Sequence, residues 1–150
     1  MVPGDTLKIG ARSFTVLGAD LMDHLQNLNR GPQMIIPKDS SRIVMGLCLC
    51  SGSTVVEGGA GSGSLSIALL NAVAPSGKVT SYDLREDHLK RAGENIKRAG
   101  FSSLWDGKIG DIREGVVERN ADAFVVDIPD PEKAVGSAEV SLRVGGRFCS

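Results

Sequence analysis

Apolar positions along this chain follow two rhythms, and beyond residue 50 the rhythms take turns. The stretch 86–99 carries Leu89, Ala92, Ile96 and Ala99 at i, i+3, i+7 and i+10, one stripe of an α-helix, and Gly100 supplies its stop. Short β-branched runs stand between segments of this kind. Residues 54–57 predict a strand, 65–73 a helix and 78–83 a second strand. A third strand ends before Gly110, and residues 123–127 predict a fourth, buried one. Residues 132–142 then predict a helix, and Gly145-Gly146 introduce a last strand over 147–149. Strands and helices in alternation give an α/β fold, a doubly wound and mostly parallel sheet with helices on its faces.

The first 30 residues have another character. Residues 6–9 and 12–17 are short strand-like pieces broken by Gly10 and Gly18, and 21–28 has helical spacing. They predict a small β-rich N-terminal region, 1–30, ahead of a sheet domain over 31–150. From Gly31 a Gly-Pro turn leads to Met34-Ile35-Ile36-Pro37, and Asp39, Ser40 or Ser41 is placed to cap a helix through Ile43 and Leu47. The last predicted strand reaches the chain end with an open edge, which suggests a fragment whose C-terminal strands are missing.

Composition narrows the class. Of 150 residues, 41% are hydrophobic and 23% charged, enough apolar material for one soluble core. The formal net charge of -1 gives no overall basic excess of the kind that holds a protein to nucleic acid by phosphate neutralisation. The N-terminus lacks a secretory layout and the longest apolar stretch, near Ile43 to Cys50, is too short to cross a bilayer, so a cytoplasmic address is expected. Cys48, Cys50 and Cys149 form no C-x-x-C pair and read as buried small hydrophobes, with a disulfide across a subunit interface as the alternative. No His/Cys/Asp set has metal-ligand spacing.

The strongest chemical signal is Glu57-Gly58-Gly59-Ala60-Gly61-Ser62-Gly63, between a predicted strand and a predicted helix. Bare backbone there turns sharply and lets a ligand lie against amides at a helix N-terminus. A dinucleotide fingerprint needs G-x-G-x-x-G, but Ser64 stands at its third glycine and Gly63 comes one residue early. That speaks against a nicotinamide dehydrogenase. Asp83, twenty residues past Gly63 at the end of the second strand, can accept both hydroxyls of a ribose. Its competing reading is a helix cap, and that of Asp111 a solvated turn residue. Glu57 has a competing reading as a structural acid.

An acidic residue followed by G-x-G-x-G resembles the first motif of class I methyltransferases, whose loop wraps the methionine part of S-adenosylmethionine. Two further segments narrow the resemblance. Arg30-Gly31-Pro32-Gln33-Met34-Ile35-Ile36-Pro37-Lys38-Asp39 is similar to the segment before the catalytic domain of tRNA adenine-N1 methyltransferases of the TrmI type, and Asp127-Ile128-Pro129-Asp130-Pro131 resembles their fourth motif. The likeness also takes in Ser81-Tyr82-Asp83-Leu84-Arg85-Glu86-Asp87 and runs over about 31–150. It departs from the family at Ile36, where a tyrosine is usual, and at Glu132, where an aromatic residue is usual. It also lacks the final antiparallel strands and much of the subunit interface.

The resemblance implies a Rossmann-like class I methyltransferase fold and methylation of adenine N1 at T-loop position 58 of tRNA, in some members also at position 57, by a cytoplasmic homotetramer without metal. It implies cofactor contacts from Gln33, Glu57, Gly58, Gly59, Ala60, Gly61, Ser62, Gly63, Asp83, Leu84, Asp111, Ile112 and Asp127, with Asp111 meeting the adenine amine. Asp127 is the expected catalytic residue. Methylated N1 leaves a cationic ring, and a fixed carboxylate bonded to the exocyclic amine stabilises that charge as it develops. Its competing reading is a helix cap, a role open also to Asp130. His24 and His88 read as exposed helix residues away from the glycine loop, Lys90, Arg91, Lys97 and Arg98 as a solvated face, and Trp105 as packing. The rival functions are methylation of protein isoaspartate or of a small molecule, and a non-catalytic tRNA-binding subunit.

Overall fold

The computed structural model describes residues 1–29 and 34–150. Strands β1 (Thr6–Ile9) and β2 (Arg12–Thr15) pair antiparallel as a separate two-stranded sheet, and helix α1 (Leu21–Gln26) follows. Asp20 and Asp23 form a reciprocal capping box at the start of α1. The small N-terminal β-rich region is joined to the main domain through Leu25 and Leu28, which sit in the same apolar cluster as the centre of the domain.

Helix α2 (Pro37–Gly46) starts earlier than the polar residues suggest. Ile36 is its N-cap and Pro37 takes the first helical position, where a missing amide proton costs nothing. Ser40 and Ser41 therefore lie inside the helix and donate back to the carbonyls of Pro37 and Lys38, and neither they nor Asp39 cap it.

The main sheet contains β3 (Thr54–Gly58), β4 (Lys78–Asp83), β5 (Trp105–Ile109), β6 (Ala121–Val126) and β7 (Leu142–Cys149). All five are parallel, in the order β5-β4-β3-β6-β7, so the strand order reverses at β3. Helices α3 (Ser64–Val73), α4 (Glu86–Arg98) and α5 (Val135–Ser141) make the crossovers. Strand alternation sends Val55, Val79, Ala123 and Val125 into one cluster with α1, α3 and α4. It sends Val56, Phe124 and Val126 into another, with Tyr82, Ile112 and Ala138. Helix α3 is largely apolar and buried on nearly every side, with Asn71 exposed, and it approaches α4 where Gly63 faces the backbone of Ala92.

Two elements differ from the pattern. The region 132–142 is a 3₁₀ turn, Pro131–Ala134, followed by a shorter α5. Strand β7 begins at Leu142 and runs through both glycines: the register jumps from Ala121↔Leu142 to Ala123↔Arg147, and the irregularity takes up the residues between. The cysteine reading also changes. Cys48 and Cys50 are exposed and Cys149 is half-buried, all three as free thiols. Cys48 has a positive φ of 51°, in the turn that ends α2.

Candidate functional site

The carboxyl ends of β3, β4, β5 and β6 are stitched to their neighbours by main-chain hydrogen bonds. Gly59 N donates to Tyr82 O at 2.8 Å, Asp127 N to Gly58 O at 2.9 Å and Gly110 N to Asp83 O at 3.1 Å. Around this edge opens a cavity of about 640 Å³, within the usual range for a cofactor-sized ligand. It lies at the reversal of strand order, where ligands of open α/β sheets bind.

The glycine loop forms one wall through Gly59, Gly61 and Ser62. Gly59 has φ +92°, and a Cβ on it would stand 2.5 Å from the carbonyl oxygen of Asp127. The absent side chain is thus what allows the loop to lie against the end of β6. Gly61, at φ +51°, has open space where a Cβ would point.

Asp83 closes β4 with its side chain only 9% exposed. Its Oδ2 accepts the amide proton of Gly61 at 3.1 Å and its Oδ1 that of Arg85 at 3.0 Å. It does not cap α4, whose N-cap position is Arg85. Asp111 lies in the loop after β5, bound side-on by Arg113, with Nε to Oδ1 at 2.8 Å and Nη2 to Oδ2 at 2.7 Å. That guanidinium holds the Asp111 carboxyl below the ordinary carboxylate range.

Asp127 follows β6 directly, is exposed and lines the cavity. No side chain among the described residues bonds its carboxylate. The following helical turn starts at Pro131, with Asp130 at its N-cap position, so Asp127 caps nothing. Asp130, with φ 54°, is exposed and paired to Lys133 at 2.7 Å.

Of the residues expected at the site, the structure brings Gly59, Gly61, Ser62, Asp83, Leu84, Asp111, Ile112 and Asp127 to the cavity wall. Glu57, Gly58, Ala60 and Gly63 lie behind that wall and do not line it. Gly58 is covered by Ile112, and Glu57 is fully buried, where it accepts hydroxyl protons from Ser66 and Ser81. Gln33, with the Arg30-Gly31-Pro32 segment, lies outside the described residues.

The reading of His88 is corrected. It lines the cavity, and its Nδ1 lies 3.2 Å from Asp83 Oδ2. Arg91 also lines the cavity and is no part of a purely solvated face. Tyr82, Arg85, Gly110, Arg113, Ile128 and Pro129 complete the set of lining residues not expected from the motifs. A usable signal was present: His88 falls in the first turn of the helix after β4, and that turn rises from the sheet edge where ligands bind. Trp105 does pack, against Gly93 and Gly107, and its indole N–H also donates to Ser81 Oγ at 2.8 Å. Among the described residues no three His, Cys, Asp or Glu side chains gather as a metal site, and no helix is long and apolar enough to cross a membrane.

The family described as the tRNA methyltransferase complex GCD14 subunit matches residues 23–150. The chain is 33% identical, over 155 aligned positions, to the tRNA (adenine(57)-N(1)/adenine(58)-N(1))-methyltransferase TrmI of Methanocaldococcus jannaschii, covering 87% of this chain and 55% of that protein. It is 33% identical over 124 positions to the tRNA (adenine(58)-N(1))-methyltransferase TrmI of Thermus thermophilus, covering 82% of this chain and 49% of the relative. The crystal structure of an SAM-dependent O-methyltransferase from Thermotoga maritima superposes with a TM-score of 0.85 at 36% identity, over 97% of this chain and 55% of that one. The chain therefore spans about half the length of the relatives it matches.

Proposed function

The chain belongs to the family of the tRNA methyltransferase complex GCD14 subunit, and from that premise we propose that it carries the S-adenosylmethionine site of an enzyme that methylates N1 of adenine in tRNA. The position we assign is 58 in the T loop, with 57 as a second position. The observation that carries this reading is the meeting of bare Gly59–Gly61 backbone, the Asp83 carboxylate and the Asp127 carboxylate at one cavity. A nucleoside needs such a set: a carboxylate for its ribose and, beside it, a stretch of backbone without side chains against which the rest of the ligand can lie.

The cofactor supplies an electrophilic methyl group on sulfur, and the residues here supply position and charge. We assign the ribose to Asp83 and the purine amine to Asp111. Asp127, exposed on the cavity wall, accepts a hydrogen bond from the exocyclic amine of the target adenine and opposes the positive charge that N1 acquires. A hydrogen bond to a charged group is worth about 1.5–3 kcal/mol, so Asp127 supplies part of the rate. Alignment of the reacting atoms supplies more, on the order of 7–11 kcal/mol. The target base leaves its stack to reach the cavity. We assign the full-length enzyme to the cytoplasm as a homo-oligomer, a tetramer in its family's manner, whose joined surfaces gather the basic charge that this chain, at -1, does not hold.

The test is made on the full-length protein. Calorimetry with S-adenosylmethionine and its demethylated product is expected to show binding, and NAD none. Unmodified tRNA transcript with labelled cofactor, mapped by mass spectrometry, is expected to yield N1-methyladenine. Binding of NAD alone overturns the assignment. A second reading, methyl transfer to an oxygen of a small molecule or protein carboxylate, is favoured by the name of the Thermotoga relative. It predicts cofactor binding without tRNA methylation. A non-catalytic tRNA-binding subunit predicts tRNA binding with no turnover.

A further inference from the structure

We propose that His88 is a positioning residue, holding the Asp83 carboxylate in the orientation that receives a ribose; this rests on the nucleoside site proposed above. Asp83 Oδ2 accepts from Gly61 N at 3.1 Å and lies 3.2 Å from His88 Nδ1, and Oδ1 accepts from Arg85 N at 3.0 Å. Three of the roughly four lone-pair directions of the carboxylate are thereby taken by groups on three different segments. The glycine loop takes one, the β4–α4 turn another and the first turn of α4 the third. The one direction that remains is aimed, because rotation of the carboxylate about χ2 breaks all three contacts at once, and it can accept one ribose hydroxyl rather than the two expected from the sequence.

A carboxylate facing Nδ1 at this distance requires a proton there, so the imidazole is either the Nδ1–H tautomer or the imidazolium, and in both forms Nδ1 donates. His88 is largely covered, with a side chain 21% exposed, and it lines the same cavity as Asp83. It stands on a helix, while Asp83's other Oδ2 partner, Gly61, sits in a loop. The histidine thus ties Asp83 to α4, as Gly61 ties it to the glycine loop. The effect on the ligand passes through Asp83, which separates this role from direct contact.

The test compares wild type, His88→Ala and His88→Asn, each full-length, by calorimetry with S-adenosylhomocysteine and with its analogue lacking the ribose 2′- and 3′-hydroxyls. The asparagine amide can place a donor where Nδ1 stands. The expected result is that His88→Ala weakens S-adenosylhomocysteine about tenfold, the size of one charge-assisted hydrogen bond. His88→Asn restores most of that affinity, and neither variant changes affinity for the dideoxy analogue. Unchanged binding in His88→Ala, or equal losses for both ligands, overturns this proposal and leaves the methyltransferase reading standing. Wild type that binds neither ligand overturns both.

Discussion

Glu57 and Ser81 are register partners on β3 and β4, and the serine hydroxyl donates into the glutamate's Oε2 at 2.5 Å. Ser66 on α3 donates to the same oxygen at 2.6 Å, and Trp105 on β5 donates to Ser81. One buried carboxyl thus ties three neighbouring strands and a helix beneath the glycine loop. Its other oxygen, Oε1, has no partner among the described residues.

Burial pushes the Glu57 carboxyl up to about 7 from an ordinary 4.5; the Ser66 and Ser81 hydrogen bonds oppose the rise, and the charges of Asp127 and Asp83 add to it. Between those values the native chain holds a proton that the unfolded chain has lost. This contribution to stability is therefore full below about pH 4.5 and falls as pH rises to about 7, by roughly 3 kcal/mol. The expected outcome is a urea midpoint that declines from pH 5 to 7, and a Glu57→Gln variant without that slope. Equal slopes in the two proteins would contradict the assignment. Asp111 and Asp122, whose carboxyls are lowered, act below this window.

Two glycines separate site strain from fold strain. Gly59→Ala places a Cβ against Asp127 O in a left-handed backbone, a cost of about 1–3 kcal/mol, and moves the loop. Cofactor affinity is expected to fall tenfold or more. Gly77→Ala drives a Cβ into Ser53 O and Val73, far from the cavity. It lowers the melting temperature and leaves cofactor affinity of the folded protein as it was. Calorimetry and thermal melts on both variants check the contrast, and normal affinity in Gly59→Ala would break it.

Asp127→Ala is expected to fold normally, since the carboxylate supports no other side chain and the residue is exposed. Cofactor affinity stays within about twofold, and methylation of tRNA slows by about ten- to a hundredfold, the kinetic equivalent of one hydrogen bond to a charge. Single-turnover rates with saturating cofactor read this directly. Unchanged rates would remove Asp127 from the chemistry.

Much of this protein could be read without coordinates because the signals are local. Val55 and Val56 face opposite sides of a strand by the two-residue period alone, Leu89 and Ile96 share one face of α4, and the glycines between β3 and α3 announce a turn that no side chain fits. Asp83 and Asp127 follow from their places at strand ends. The tertiary structure decided what depends on residues distant along the chain or on the exact path of a turn. Glu57 is drawn away from the cavity because Ser66 and Ser81 stand behind it, and Cys48 and Cys50 surface in the turns between α2 and β3. His88 enters the site because α4 rises from the sheet edge directly beside Asp83. Periodicity gives which face a residue takes; it does not give which partner waits there, and for His88 the partner is the whole difference between a surface histidine and part of the site.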